Sequence, residues 1–165
     1  MENTRSTTIM IGESGSFDSQ DLALGQPFVI LKSVNPASSS IQSNIKAIIN
    51  SIVVVVSGSK YDIDLLFFNQ ELSNTGSFVN NQPVSLSFAD AKKCISKLRI
   101  ENNGSGTSDD YLNQVGDCYI ASLFNLNIPL NGSSKYYCAA VYQDTASISL
   151  NNNTSITINY SALEQ

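Results

Sequence analysis

The sequence predicts an all-β chain: an antiparallel β-sandwich or jelly roll of about eight strands with one short helix. Three observations carry this. Short apolar segments rich in Val, Ile, Phe and Tyr recur along the 165 residues, separated by turns of Asn, Ser and Gly. The most apolar stretch, residues 48–69, lies well inside the chain and contains the β-branched run Ile52-Val53-Val54-Val55-Val56. Only one segment, residues 85–95, spaces its apolar residues at helical intervals.

Residues 1–16 are polar and glycine-bearing, and only Ile9-Met10-Ile11 is suited to pair in a sheet. They read as a flexible N-terminal arm ahead of a single domain, 17–165. Leu22-Ala23-Leu24 and Phe28-Val29-Ile30-Leu31 are short strands, the second limited at its start by Pro27, which has no N–H to donate. Residues 34–43 are a loop. Residues 48–69 read as a hairpin, two strands joined by the polar turn Ser57-Gly58-Ser59-Lys60. The run Ile52 to Val56 suits a strand buried on both faces or one at the centre of a sandwich. On the second strand Tyr61, Ile63, Leu65 and Phe67 alternate with Asp62, Asp64, Leu66 and Phe68.

Residues 69–84 form a long polar connection with Phe78 as its one large apolar anchor. In the helix expected at 85–95, Ser85 or Ser87 is the N-cap and Asp90 lies in the first turn. Lys92, Lys93 and Lys97 fall late, where the helix dipole favours cations. Leu98-Arg99-Ile100 returns to strand, and residues 101–110 are an exposed loop. Strands follow at 117–123, continuing towards a turn at Asn131-Gly132-Ser133-Ser134, then at 135–142, 148–150 and 155–160. In the last, Ile156 and Ile158 alternate with Thr157 and Asn159 as in a half-buried strand.

Charge narrows the function. Charged residues are 14% of the chain, against about 25% in ordinary globular proteins. Ser, Asn and Thr fill the gap, giving a surface that loses little solvation when it packs against a neighbour. The net charge is −5, and the few cations form no stripe able to neutralise phosphates. Nucleic-acid binding and a polybasic membrane anchor are therefore set aside. No apolar run reaches the ~20 residues needed to span a bilayer, and no signal-peptide pattern opens the chain. Cys94, Cys118 and Cys138 are odd in number and widely spaced, reading as small buried apolar side chains of a reducing compartment.

With no histidine in the sequence, Ser-His-Asp and Cys-His catalysis are excluded. No phosphate-binding loop and no zinc spacing occurs, so no cofactor, metal or catalytic residue is expected. Asp62 and Asp64, two apart on one strand, have the spacing of a carboxylate pair, but two solvated residues on an outer strand face is the preferred reading. Asp109-Asp110 with Asp117 forms a second acidic cluster without calcium-loop spacing. Tyr136-Tyr137 with Tyr142 offers either a sugar-binding surface or buried rings with wet hydroxyls.

The segment from Tyr61 to Ile100 carries a resemblance. Asp64-Leu65-Leu66-Phe67-Phe68-Asn69 is followed by Ser77-Phe78-Val79-Asn80-Asn81-Gln82-Pro83, then Leu86-Ser87-Phe88-Ala89-Asp90-Ala91 and Leu98-Arg99-Ile100. This order, with the later Tyr137-Cys138-Ala139-Ala140-Val141, resembles small tailed-bacteriophage virion structural proteins of the capsid decoration (cement) type, from about residue 45 to the end. There are departures: Asn69 stands where that group often has Asp, Asn80-Asn81 replaces Asp-Asn, and the tryptophan after the helix is missing.

The resemblance implies a jelly-roll head protein in the virion, made in the host cytoplasm, that binds the major capsid protein lattice as a homotrimer, with no membrane or nucleic-acid partner. The residues expected to meet the partner are Ile9, Met10 and Ile11 on the arm, Phe78, Asn80 and Asn81 on the 69–83 connection, and Asn103, Ser105 and Asp109 on the 102–110 loop. The alternative is a receptor- or glycan-binding sandwich of a tail fibre or spike, gripping sugars through Tyr136 and Tyr137. A glycosidase acting through Asp62 and Asp64 ranks last.

Overall fold

A computed structural model describes residues 2–11, 15–17, 22–24, 26–32, 45–57, 60–73, 75–101, 112–133, 135–143, 148–150 and 154–163. The strands are β1 (Glu2–Ile11), β2 (Gly15–Phe17), β3 (Leu22–Ala23), β4 (Phe28–Lys32), β5 (Ile45–Ser57), β6 (Ile63–Phe68), β7 (Cys94–Ile100), β8 (Asn113–Val115), β9 (Cys118–Leu123), β10 (Ile128–Ser133), β11 (Lys135–Tyr142), β12 (Ile148–Leu150) and β13 (Thr154–Leu163). A 3₁₀ turn at Thr75–Phe78 and the single-turn helix α1 (Phe88–Ala91) lie between β6 and β7.

The first sheet runs β1-β13-β5-β9-β8, with β10 beside β9 along the other half of β5; the second runs β3-β11-β6-β7, with β4 beside β3 on β11. A small pair, β12-β2, stands apart. Every pairing among the described residues is antiparallel.

Nine strands have five or more residues; with β10, which shares one edge of β5 with β9, set aside, eight remain: β1, β4, β5, β6, β7, β9, β11 and β13. In chain order they pair first with eighth, second with seventh, third with sixth and fourth with fifth. Eighth then joins third, and seventh joins fourth. This is one long antiparallel hairpin rolled around a core, the jelly-roll pattern.

The sheets meet through alternating side chains. Ile52, Val54 and Val56 of β5, Ile156 and Ile158 of β13, Ile63, Leu65 and Phe67 of β6, and Tyr136, Cys138 and Tyr142 of β11 share one buried cluster. Their spacing of two puts each set on one face of its strand. Val53 and Val55 are only half-buried, so β5 is central in its sheet and covered on one face, not two.

A second, smaller cluster lies on the outer face of the second sheet. There Phe68, Tyr137, Ala139 and Val141 are covered by Leu72 and Phe78 of the β6–β7 connection. The Phe68 and Phe78 rings meet edge to face at 6.1 Å. This second roof explains why every residue of β11 after Lys135 is buried.

Several sequence expectations change. β5 and β6 do not form a hairpin; they lie in opposite sheets. The reason is that β5 spends both edges elsewhere, on β13 and on β9 with β10. Tyr61, just before β6, is fully buried with its ring 5.8 Å from Tyr142. Where a loose arm was expected at 1–16, residues 2–11 form β1, in register with β13 throughout.

The helix expected at 85–95 is one turn only. Ser87 is its N-cap, its hydroxyl accepting from the Asp90 N–H at 3.1 Å. From Cys94 onward β6 captures the chain as an edge strand, so Lys97 lies in β7 and not at a helix end. The turn expected at 131–134 is largely strand, since β10 continues through Ser133.

Candidate functional site

Asp64 is not a solvated strand residue. It sits at an even, outward position of β6, yet its side chain is only 2% exposed, because Lys97 and Arg99 on the neighbouring β7 close over it. Arg99 donates from Nε to Oδ1 at 2.7 Å and from Nη2 to Oδ2 at 3.0 Å, and Lys97 Nζ lies 2.7 Å from Oδ2. Burial alone would raise the Asp64 pKa; the hydrogen bonds and charges of Arg99 and Lys97 outweigh it and hold the carboxyl below its ordinary value. Arg99 also donates to Gln143 Oε1 at 3.2 Å. A carboxylate saturated in this way is neither a general acid nor an open calcium ligand. Among the described residues no group of three acidic or cysteine side chains is placed to hold a metal ion.

The tyrosine surface is likewise absent from the exterior. Tyr136 and Tyr142 are fully buried in the main core, and Tyr137 is buried in the second cluster. Burial raises the Tyr137 pKa, with the Glu71 charge and hydrogen bond adding to it. Cys138 is also fully buried, and burial pushes its thiol far up. Cys94 and Cys118 are half-buried, more open than the sequence suggested, and all three thiols are free.

The outer face of the first sheet is the distinctive surface. Ser51, Val53, Val55 and Ser57 of β5 alternate with the buried positions and stand outward. Beside them are Ser155, Thr157 and Asn159 of β13, and Ile120 and Ser122 of β9. None carries a charge. Asn159 Nδ2 donates to Ser51 Oγ at 3.0 Å, and Asn50 Nδ2 donates to Ser161 Oγ at 2.7 Å, so hydroxyls and amides are knitted across the strands.

At one end of this face a groove of about 570 Å³ opens between β5 and the β9–β10 connection. It is lined by Ile48, Asn50, Ser51, Phe124, Asn125, Leu126 and Asn127. The pairing of β5 with β13 shifts register at Asn50, and the Leu126 N–H donates to the Asn50 carbonyl at 2.9 Å, which fixes the connection over the bulge. Asn125 is held at φ 56°, a left-handed conformation that asparagine tolerates. Phe124 is 58% exposed and Ile48 38%.

No protein-family model and no curated protein sequence matches this chain. Among solved structures, it is similar to a chain from the X-ray structure of tomato aspermy virus, at 12% identity and TM-score 0.45, covering 99% of this chain and 78% of that one. It is also similar to a maize chlorotic mottle virus chain solved by single-particle analysis, at 10% identity and TM-score 0.33, covering 97% of this chain and 93% of the other. A third is VP2 of the infectious bursal disease virus subviral particle, at 12% identity and TM-score 0.34, covering 96% of this chain but 32% of VP2. No helix among the described residues is long and apolar enough to cross a membrane.

The residues expected to meet a partner are scattered. Ile9, Met10 and Ile11 lie in β1, opposite Ile156, Ser155 and Thr154. Phe78 faces inward, fully buried under its own connection. Asn80 is half-buried with its Oδ1 enclosed, and Asn81 turns the chain at φ 55° while its N–H donates to the Ala23 carbonyl at 2.9 Å. The 69–83 segment is therefore fastened down as a cover on the second sheet. Asn103, Ser105 and Asp109 lie outside the described residues, as does Asp110; Asp117 is an exposed turn residue beside Gly116. Sequence reasoning missed the groove by reading 124–130 as continuing strand. The signal was there in Phe124-Asn125-Leu126-Asn127, where two asparagines interrupt an apolar run.

Proposed function

We propose that the chain is a virion structural protein of the decoration type, binding the outside of a phage head as a homotrimer and stabilising the major capsid protein lattice. The observation that carries the reading is the uncharged middle of the first sheet's outer face, Ser51, Val53, Val55 and Ser57 with Thr157, Asn159 and Ser122, in a chain of net charge −5. Such a face docks without leaving an ion buried and unpaired, and charged residues are depleted from the centre of protein interfaces. The jelly roll is a fold that capsid and lectin domains share, an analogy of fold and not of site. The sequence pattern from Asp64 to Ile100 points the same way.

The test is to add purified protein to expanded phage capsids that lack a decoration protein. Saturable binding and a raised capsid disruption temperature are expected, both weakened by Val53→Lys with Val55→Lys. Capsids that stay bare and no more heat-resistant overturn the proposal.

A further inference from the structure

We propose that the groove between Ile48 and the 124–127 connection is a binding site for a neutral saccharide. This goes beyond the decoration reading; the groove adjoins the Val53 and Val55 face and shares Ser51 with it.

The groove, about 570 Å³, is shallow and open to solvent, so a ligand would lie along it and not be enclosed. Its lining has no charged side chain, so an anionic or cationic ligand would enter without a counter-charge. Phe124 is more than half exposed, on a segment where Leu123 and Leu126 interleave with Asn125 and Asn127. A pyranose ring has one C–H-bearing face that packs on such a ring, and an equatorial belt of hydroxyls.

Asn125 and Asn127 line the groove with Phe124, and an asparagine amide can both donate and accept, as vicinal hydroxyls require. Ser51 Oγ already accepts from Asn159, which leaves its own proton to donate outward. The site is also held in place before any ligand arrives. The Leu126 N–H bonds to Asn50, the Asn50 amide bonds to Ser161, and Asn125 occupies a fixed left-handed turn.

Isothermal titration and saturation-transfer NMR on the intact protein test this, using methyl glycosides and disaccharides of glucose, galactose, mannose and N-acetylglucosamine, with sialyllactose as the acidic comparison. A neutral sugar is expected to bind, with transfer from aromatic protons. Phe124→Ala should weaken it about tenfold, the scale of a lost aromatic contact, without moving the melting temperature. Asn127→Ala should weaken it as well. Phe88→Ala removes an aromatic ring that is 77% exposed elsewhere, and should leave binding unchanged. The proposal is overturned if none of the neutral sugars binds, if only sialyllactose does, or if Phe124→Ala binds as the parent does. A change of oligomeric state in Phe124→Ala without sugar binding would assign the groove to a second copy of the chain.

Discussion

Replacing Asp64 by Asn should destabilise the protein less than removing the two cations that face it. The asymmetry follows from burial. The carboxylate is 2% exposed, whereas Lys97 is 55% and Arg99 39% exposed. In Asp64→Asn the amide keeps an acceptor for Arg99, and both cations turn to water. At roughly 0.2–1 kcal/mol per pair made by solvent-facing partners, the loss over the two pairs is about 0.4–2 kcal/mol. In Lys97→Met with Arg99→Met the carboxylate stays enclosed and unpaired, which costs about 3–5 kcal/mol at neutral pH. The expected gap is about 2 kcal/mol, readable by urea denaturation followed by circular dichroism.

The pH dependence gives a second, independent sign. In the parent the folded-state pKa of Asp64 lies below its unfolded value. Its contribution is therefore present above about pH 4 and lost as pH falls through the folded value. Without the cations, burial alone acts and the folded pKa rises above the unfolded one. The Asp64 contribution is then most favourable below about pH 4 and is lost as pH rises from there through the raised folded value. The reasoning fails if Asp64→Asn costs as much as the double variant at pH 7, or if the double variant is flat across that range.

The β6–β7 connection yields two more, and the cysteines a third. Asp90 is buried and accepts from the Ser73 N–H at 2.8 Å and from Lys93 Nζ at 2.7 Å, so Asp90→Ala should cost about 3 kcal/mol and raise hydrogen exchange first in residues 69–93. Phe78→Ala empties the centre of the second cluster and should cost about 3–5 kcal/mol by thermal denaturation, in contrast to a near-neutral Phe88→Ser. A thiol reagent should label Cys94 and Cys118 in the folded protein and reach Cys138 only on unfolding, as mass spectrometry would show.

The local pattern was legible where one face of a strand is buried. Ile156 and Ile158, or Ile63, Leu65 and Phe67, announce their strands by a period of two, and Ser87 announced the cap. Partnership was not legible. Nothing in Val53 to Val56 says that β5 turns away from β6, because that depends on which distant strands, β9, β10 and β13, reach its edges first. Cys94, Leu98 and the lysines fit a helix by spacing, and only pairing with β6 overrides it. For the site, Asp64 looked solvated because its partners lie 33 and 35 residues ahead, at Lys97 and Arg99. The groove depends on a bulge at Asn50 that no residue type foretells.

The cover formed by residues 69–93 makes the two flat sides of the molecule unequal. One sheet is sheathed by its own chain, through Leu72 and Phe78, while the other presents Ser51, Val53, Val55, Thr157 and Asn159 outward. A slab that sticks on both sides can stack without end, as open heterologous contacts do. One with a single adhesive side stops after one layer. By capping its second sheet, the chain leaves a second copy no bare sheet face to stack against on that side.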